Sequence, residues 1–424
     1  MYRIALALLI FLTSCFHSSN SSGKPGPKLA SITFIDKNGL SETITEKDKL
    51  KQFQNYNFLG SQPYQKVLRV FVRDDSGKIS SIVTSYHDNG EARQYLEVVN
   101  GRAHGKYIEW YSSGNKHLEA HIIEGKADID PGSMATWAFD GLSYAYREDG
   151  SIEAQFPYTK GLLNGEVIRY APDGTVASKA HFKNGLKMGM EEKFFAPENP
   201  SEILNYQDGY LNGEALGFYE DKKPLWKEQW LDGFLQKGEY FLPDGSVICS
   251  IVDGNGKKAI FTDSKLKETR EYYRGEEEGE VLLLDSAGNT LARYILKAGK
   301  KNGPEIKYYP VKNKKEPKPK LQIEWYDGAL QGTVKSWYPS GSIESQREYM
   351  SNYKQGLSTA WYLDGSVMLI EEYEKDRLVR GEYRRRGEKN PLSQVQNGKG
   401  TATLFDGNGA LIKRIRYNEG LPQE

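Results

Sequence analysis

The chain contains 424 residues, and its 57 Lys and Arg balance 57 Asp and Glu, so the formal net charge is zero. Because phosphate binding requires a basic excess, this balance gives no reason to expect a nucleic-acid partner. Only 38% of the residues are hydrophobic, whereas the chain holds 43 Gly and 28 Tyr. A large compact core needs more aliphatic residues, and disordered chains are poor in aromatics. The composition therefore favours a thin, sheet-rich protein.

The first 15 residues, MYRIALALLIFLTSC, predict a secretory signal. An apolar run from Ile4 to Leu12 follows Arg3. It is shorter than the roughly 20 residues that span a bilayer, and it suits a signal-peptide core of about 7–15 residues. The run ends in LTSC, which resembles the bacterial lipoprotein signal, in which the cysteine receives lipid. We therefore expect lipid attachment at Cys15; the alternative is an ordinary signal peptide that contains a cysteine.

The residues after the signal predict an anchored, exported protein. Residues 16–28 are polar and rich in Gly and Pro, so they should form a flexible tether. By resemblance to envelope lipoproteins, Phe16 after the cysteine favours the outer membrane. We therefore expect export through the general secretion pathway to the bacterial cell envelope. Cys249 is then left without an intramolecular partner, which excludes a disulfide framework, and we expect it in a buried strand.

A periodic ladder of glycines runs through most of the chain. Gly90, Gly101, Gly105 and Gly114 are separated by 11, 4 and 9 residues, which defines a period of 24. The ladder continues to about residue 420 and gives roughly fourteen units. Asn-Gly and Asp-Gly recur in it, and these dipeptides supply the positive φ angles of tight hairpin turns. Asn and Asp also tolerate such angles, so we expect Asn352 and Asp376 to replace glycine in two turns.

The runs between the turns have strand length and alternating polarity. Ile152, Ala154 and Phe156, for example, fall on one face, as in a half-buried antiparallel strand. The sequence therefore predicts an all-β fold, an elongated antiparallel sheet of tandem hairpins of about 24 residues over 86–424. Residues 29–85 should form a small α+β cap that closes the first edge of this sheet.

Within the cap, two strands and a helix are predicted. Residues 31–35 and 40–45 flank Asp36-Lys37-Asn38-Gly39, which is typical of a hairpin turn. The segment 46–58 predicts a short helix with Thr45 as its N-cap.

Two columns of aromatic residues follow the same period. Their main interpretation is a core ladder, in which large flat rings supply the burial that a thin sheet needs. The alternative is an exposed row that forms a contact groove. The first column lies three residues before each closing glycine: Tyr158, Phe182, Tyr206, Trp230, Tyr272, Trp325 and Tyr417. The second includes the pairs Trp110 and Tyr111, Phe194 and Phe195, Phe218 and Tyr219, Tyr308 and Tyr309, Trp337 and Tyr338, and Trp361 and Tyr362.

The unit resembles the MORN repeat in its bacterial variant, often called the YwqK-type antitoxin family. Segments such as FKNGLKMG (182–189), YLNGEALGFY (210–219) and YDGALQGTVKSWYPSG (326–341) carry the resemblance, which covers about four fifths of the chain. The resemblance implies β-hairpins laid side by side in a twisted sheet. It also implies toxin neutralisation for some relatives, but an exported chain would not meet a cytoplasmic toxin, so we do not expect that activity here.

Departures from the period suggest where a partner could bind. Residues 126–140 replace an expected short turn and hold Met134, Trp137 and Phe139, and apolar side chains exposed in a loop would need a function. The other residues of the candidate binding surface are Trp337, Tyr338, Trp361 and Tyr362. The basic segments 311–320 and 382–396 also break the period; for 311–320, neutral growth of an exposed loop is the favoured interpretation.

No motif in the sequence predicts catalysis. The chain has six His, and His117 and His121 are too far apart on one strand, roughly 13 Å, to share a metal ion. We therefore expect no catalytic residue, metal or cofactor, although an acidic pair of the glycosidase type stays open. The expected function is a non-enzymatic, lipid-anchored scaffold for a protein or polysaccharide of the envelope. The alternatives are a structural spacer without a ligand and an enzyme acting on envelope polysaccharide.

Overall fold

The computed structural model describes residues 28–74, 76–311 and 316–423. The predicted signal peptide, the lipid site Cys15 and the tether up to residue 27 lie outside the described residues. The chain divides into unit 1, Met1–Glu198, and unit 2, Asn199–Glu424. Both units consist almost entirely of antiparallel strands, which confirms the predicted all-β fold of tandem hairpins. No helix among the described residues has the length and apolar character needed to cross a membrane.

Unit 1 forms an antiparallel sheet in the order β2-β1-β3-β4-β5-β6-β7-β9-β10-β12-β13-β14, and the short strands β8 and β11 pair with β7 and β10. Two short helices, Lys47–Lys51 (α1) and Pro131–Met134 (α2), interrupt the strands. The strands are Lys28–Asp36 (β1), Ser41–Ile44 (β2), Gln65–Arg73 (β3), Ile79–Tyr86 (β4), Ala92–Val99 (β5), Arg102–Trp110 (β6), Lys116–Glu124 (β7), Ala138–Phe139 (β8), Gly141–Tyr146 (β9), Ile152–Thr159 (β10), Leu162–Leu163 (β11), Gly165–Tyr170 (β12), Val176–Lys183 (β13) and Leu186–Ala196 (β14).

Unit 2 is a meander in which each strand pairs with its neighbours in sequence. Its strands are Asn199–Gln207 (β15), Tyr210–Leu211 (β16), Gly213–Phe218 (β17), Pro224–Leu231 (β18), Phe234–Phe241 (β19), Val247–Val252 (β20), Asn255–Thr262 (β21), Lys265–Tyr273 (β22), Glu276–Leu284 (β23), Thr290–Lys297 (β24), Lys300–Lys301 (β25), Gly303–Tyr308 (β26), Pro319–Tyr326 (β27), Ala329–Trp337 (β28), Ile343–Met350 (β29), Tyr353–Trp361 (β30), Val367–Glu374 (β31), Arg377–Tyr383 (β32), Ser393–Gln396 (β33), Lys399–Phe405 (β34), Leu411–Asn418 (β35) and Leu421–Gln423 (β36).

The predicted hairpin near the start of unit 1 is confirmed, but the predicted helix is too long. β1 pairs with β2, and the helix α1 covers only five residues. Its N-cap is Glu46 rather than Thr45, and no side chain caps it. The chain then turns through Asn57 and Gly60, where a helix would be interrupted. Leu50 of α1 still packs into a core with Ile32 and Leu68, which anchors the short helix to the sheet.

Short two-residue turns join the two strands of most hairpins. Both residues of each turn have positive φ, as type I′ turns require, for example Asp232 at 49° and Gly233 at 84°. Asn352 and Asp376 adopt φ of 72° and 65°, so the prediction that they replace glycine is confirmed. The turn glycine also forms a backbone hydrogen bond with the preceding hairpin, since the N–H of Gly233 donates to the carbonyl of Leu211 in β16 at 2.9 Å.

The glycine four residues after the turn glycine, such as Gly279 after Gly275, lies outside the turn and has a different role. Gly279 and Gly356 have φ of 117° and 92°, within the region that favours glycine. A Cβ on Gly279 would meet the carboxylate of Glu271, which crosses over the glycine from the neighbouring strand. This carboxylate accepts the N–H of Glu280 at 2.7 Å, a bond that a side chain on Gly279 would block. The spacing of the glycines therefore reflects a turn followed by a bulge covered by a cross-strand side chain.

Longer turns join successive hairpins at the opposite ends of the strands. In the turn from Tyr362 to Ser366, the first residue donates to the carbonyl of the fifth and accepts from Gly365. Asp364 accepts hydrogen bonds from the hydroxyl and the N–H of Ser366, at 2.6 and 3.0 Å. These bonds, with the ion pair to Arg386 at 2.7 Å, lower the pKa of Asp364 to about 2. Asp149, Asp173 and Asp244 accept the equivalent backbone N–H in their turns.

We predict that Asp364→Ala lowers the urea midpoint at pH 7, because the turn loses its internal acceptor. The pKa of Asp364 is lower in the folded chain than the ordinary value of about 3.9. Its stabilising effect is therefore present above pH 4 and lost as the pH falls through about 2. Unfolding curves at pH 7 and pH 2 test this, with Asp88→Ala as control, because Asp88 is exposed and does not have a positive φ. A deficit of Asp364→Ala that is equal at both pH values would contradict the prediction.

A row of tyrosines, the tyrosine ladder, connects the long turns of unit 2. It consists of Tyr219, Tyr309, Tyr338 and Tyr362. Each hydroxyl donates to a backbone carbonyl on the neighbouring hairpin, at 2.6–2.8 Å: Phe241, Trp337, Trp361 and Arg384, respectively. Tyr362 is fully buried, and burial raises the pKa of its hydroxyl to about 12. The ladder therefore satisfies backbone carbonyls and fixes the distance between hairpins.

We predict that Tyr362→Phe destabilises unit 2 by about 1 kcal/mol, because it leaves the carbonyl of Arg384 without its donor. Urea unfolding followed by intrinsic fluorescence measures this effect. The matched control is Tyr326→Phe, since Tyr326 is 68% exposed and surface changes of this kind stay within about 0.5 kcal/mol. Equal midpoints for the two variants would show that the ladder does not contribute to stability.

Candidate functional site

The first aromatic column contributes to the core. Trp230 and Tyr272 are buried with Leu235 and Ile251 in one cluster of unit 2. Tyr417 packs against a second cluster, which contains Tyr373. The core-ladder interpretation is therefore confirmed for Trp230 and Tyr272, which are buried, while Tyr417 is partly buried against its cluster. Cys249 lies in strand β20 as predicted, but it is half-buried rather than buried; its partial burial raises the pKa of the thiol to about 11.

Buried glutamates accept the polar ends of these aromatic rings. Glu228, almost fully buried, accepts from the indole of Trp230 at 2.8 Å and from the hydroxyl of Tyr240 at 2.7 Å. Lys258 forms an ion pair with the same carboxylate at 2.8 Å. Because both carboxylate oxygens are engaged by structural partners, Glu228 resembles a satisfied core acceptor rather than a free acid or base.

Two further carboxylates repeat this arrangement. Glu305 accepts from the indole of Trp325 at 2.9 Å and pairs with Lys301 at 2.7 Å. Burial alone would raise the pKa of Glu305, but the hydrogen bond and charge of Lys301 outweigh burial and lower it. Glu371 accepts from the hydroxyls of Tyr383 and Tyr373, at 2.8 and 3.1 Å. The glutamates thus recur as partners of aromatic donors, a role that was not predicted from the sequence.

The second aromatic column is largely removed from solvent. Tyr338 is 9% exposed and Tyr362 fully buried, and both belong to the tyrosine ladder. Trp337 and Trp361 are half-buried, and their carbonyls accept the ladder hydroxyls. For the two tyrosines the core-ladder interpretation is therefore confirmed and the alternative of an exposed contact groove is wrong, whereas the two tryptophans leave part of their surface exposed.

The segment 126–140 covers the sheet of unit 1 rather than projecting from it. Asp130 caps α2 by accepting the N–H groups of Gly132 and Ser133. Trp137 is only 8% exposed, lies 4.7 Å from the ring of Tyr107, and donates from its indole to the carbonyl of Lys126 at 2.9 Å. The expectation that this segment exposes its apolar residues is wrong, because they complete a core that the thin sheet cannot build alone. Met134 and Phe139 pack partly buried against that core.

A shallow groove borders this covering segment. Its volume is about 420 Å³, and its walls include Arg69, Phe71, Ile79, Val98 and Ala127. Arg69 is already paired with Asp128 at 2.7 Å, so its charge is satisfied within the chain. The groove therefore offers an apolar wall and no uncompensated charge.

Among the described residues, no group of His, Cys, Asp and Glu could hold a metal ion. His104 and His121 lie on adjacent strands with ring centres 6.2 Å apart, and the Nδ1 of His104 is already hydrogen-bonded to the carbonyl of Ile123. In the basic segment 382–396, Arg386 pairs with Asp364 and Arg384 with Glu382. Both arginines are therefore paired with carboxylates within the chain.

Exposed apolar side chains concentrate beside the short turns of unit 2. They lie directly before or after the turn dipeptide in several of these turns, where cross-strand partners such as Leu231 and Phe234 face each other. Successive short turns are in direct contact: the N–H of Gly233 donates to the carbonyl of Leu211, and the N–H of Gly275 donates to the carbonyl of Gly254, both at 2.9 Å. We call this row the short-turn ridge; its members, 44–68% exposed, are Tyr210, Leu231, Phe234, Val252, Tyr273, Tyr326, Met350 and Tyr353.

The fold does not require apolar residues at these positions. The equivalent pairs Lys297 and Lys300, and Glu374 and Arg377, flank short turns of the same type in the same unit. A row of exposed apolar residues on a soluble surface is characteristic of an interaction site. The ridge was not predicted from the sequence, although its signal was present as aromatic and aliphatic residues that flank the turn dipeptides.

No curated protein matches the chain. Among solved structures, the chain is similar to the Tc holotoxin pore of Photorhabdus luminescens at 10% identity and a TM-score of 0.14, over 93% of this chain and 24% of that one. It is also similar to the TcdB2-TccC3-Cdc42 complex at 13% identity and a TM-score of 0.13, over 88% of this chain and again 24% of that one. The chain thus spans about a quarter of the length of these two. TM-scores this low carry no inference about fold or function.

A third similarity is to a porin-like protein from Bacteroides uniformis, at 8% identity and a TM-score of 0.13, over 62% of this chain and 96% of that one. The family described as the MORN repeat variant matches residues 163–184 and 330–350. Each matched segment begins after a short turn, contains one bulge glycine and one long turn, and ends at the next short turn. The chain therefore contains MORN repeats of the variant type at these two positions.

Proposed function

We propose that the chain is a non-enzymatic binding scaffold of the bacterial envelope, whose short-turn ridge holds a protein or polysaccharide partner. The observation that carries the proposal is the ridge itself, eight exposed apolar side chains on the flanks of successive short turns. Repeat proteins commonly bind partners along extended surfaces of this kind, because each unit contributes one equivalent contact.

The chemistry of the ridge suits an extended partner. Tyr210, Tyr326 and Tyr353 present flat rings, which pack on apolar side chains or on the faces of sugar rings. The turn residue Asp208 adds a carboxylate beside Tyr210, and carboxylates accept hydrogen bonds from hydroxyl or amide groups. Because successive short turns are in direct contact, an extended partner can touch several of them at once.

The proposal includes a lipid anchor at Cys15, which would hold the ridge near the membrane. The sequence LTSC after a short apolar run supports this, as does the polar tether that follows. The favoured location is the outer membrane, reached through the general secretion pathway. The non-enzymatic part is supported by the buried glutamates Glu228 and Glu305, whose oxygens serve aromatic and lysine donors.

We predict that a triple variant, Tyr210→Ser with Tyr326→Ser and Tyr353→Ser, loses binding to the envelope at least tenfold, because the ridge loses its main apolar contacts. Binding is measured by co-sedimentation of the full chain, carrying Cys15→Ala to remove the anchor, with purified sacculi and with outer-membrane vesicles. The two preparations separate polysaccharide from protein partners.

The matched control is Tyr64→Ser, since Tyr64 is 77% exposed but lies in unit 1 outside the ridge. Circular dichroism should be unchanged for both variants, because all four side chains are exposed. If the triple variant binds as tightly as the control, the ridge is not the binding surface. If the unaltered chain binds neither preparation, the spacer alternative is favoured.

We predict that Cys15→Ala abolishes lipid labelling and releases the chain from membranes, because the thiol is the attachment atom. Metabolic incorporation of labelled palmitate, followed by membrane fractionation, measures both effects. Cys249→Ser is the matched control, since its half-buried thiol lies in a strand. Palmitate incorporation into the Cys15→Ala chain would contradict the anchor.

A further inference from the structure

At one edge of the sheet of unit 1, strand β2 has an unpaired side. Strand β2, Ser41–Ile44, pairs with β1 on one side, and no described residue pairs with its other side. Its side chains are mostly exposed, and the adjacent Leu40 is 72% exposed. Glu42 is the single charged residue within the strand. An unpaired edge presents a row of backbone donors and acceptors that another strand can complete.

In unit 2, part of strand β35 forms a second unpaired edge. Strand β35 pairs with β34 along its length, but β36 covers only Arg416 to Asn418 on the other side. Leu411 and Ile412 are 55% and 61% exposed. Within the described residues no acidic side chain forms an ion pair with the basic residues of this strand, Lys413, Arg414 and Arg416. The edge is thus apolar and basic.

The charges restrict which strand β35 can accept. Basic residues on an edge commonly prevent pairing between identical edges, because like charges would face each other. The same charges favour a strand that carries an acidic residue between apolar ones. The segment Leu40 to Ile44 has this pattern. In antiparallel register, Glu42 falls opposite Lys413, Leu40 opposite Ile415, and Ile44 opposite Leu411.

We propose that the chain associates head to tail, with β2 of one copy added antiparallel to the free edge of β35 in a second copy. The contact is heterologous, so each copy keeps one edge available and assembly continues into a ring or filament. A single strand pair is small compared with a standard interface of about 1,600 Å². Association is therefore weak in dilute solution and is enhanced where chains are concentrated.

The test is thiol trapping between two variants of the full chain in a Cys15→Ala, Cys249→Ser background. One variant carries Ser41→Cys and the other Arg414→Cys, residues that lie opposite each other in the proposed register. Mild oxidation of the mixture should give at least fivefold more disulfide-linked dimer than oxidation of either variant alone. Preferential self-linking of Arg414→Cys, or linking no greater than with Tyr64→Cys in place of Ser41→Cys, would overturn the proposal.

A charge exchange gives a second, independent readout. Adding Lys413→Glu to the Arg414→Cys chain should reduce the linked product at least fivefold, because Glu42 then faces a like charge. Adding Glu42→Lys to its Ser41→Cys partner should restore the product. Lys399→Glu is the matched control, since Lys399 is exposed on the neighbouring strand β34. An equal effect of Lys413→Glu and Lys399→Glu would exclude the proposed register.

Discussion

The structure depends on the contact between each bulge glycine and the side chain that crosses it. Gly105, Gly279 and Gly356 lack a Cβ, so the carboxylates of Glu97, Glu271 and Glu348 lie directly over their backbones. Each carboxylate accepts the N–H of the residue that follows the glycine. The bulge would otherwise leave this N–H without a partner. In these three hairpins the glutamate therefore compensates the irregularity that the bulge introduces beside the two-residue turn.

A thin sheet must also satisfy the polar ends of the aromatic residues that form its core. Buried tyrosine hydroxyls and indoles need acceptors, since an unpaired buried group costs about 1–3 kcal/mol. In the strand interiors the acceptors are glutamates, as Glu228 is for Trp230 and Tyr240. At the long turns the acceptors are backbone carbonyls, as in the tyrosine ladder. Aromatic rings thus provide both burial and hydrogen bonds, which explains the abundance of tyrosine without a large aliphatic core.

The sequence predicted the features that depend on local geometry. Turn dipeptides need positive φ wherever they lie, so the hairpins and even the Asn352 and Asp376 substitutions could be identified from spacing. Features that depend on distant packing were not predictable in the same way. Period-two alternation shows which face of a strand is apolar, but it does not show what covers that face. Trp137 was therefore expected in an exposed loop, although the segment around it folds back over Tyr107.

The short-turn ridge also combines residues that local backbone geometry constrains with residues that it does not. The two turn residues are constrained by their backbone angles, whereas the flanking pair is constrained only to be compatible with a strand. Lys297 with Lys300 satisfies this requirement as well as Leu231 with Phe234 does. Burial does not explain the apolar flanks either, because their rings and aliphatic chains remain in solvent. Neither the turn nor the core requires exposed apolar residues there, which is the reason for proposing that the ridge contacts a partner.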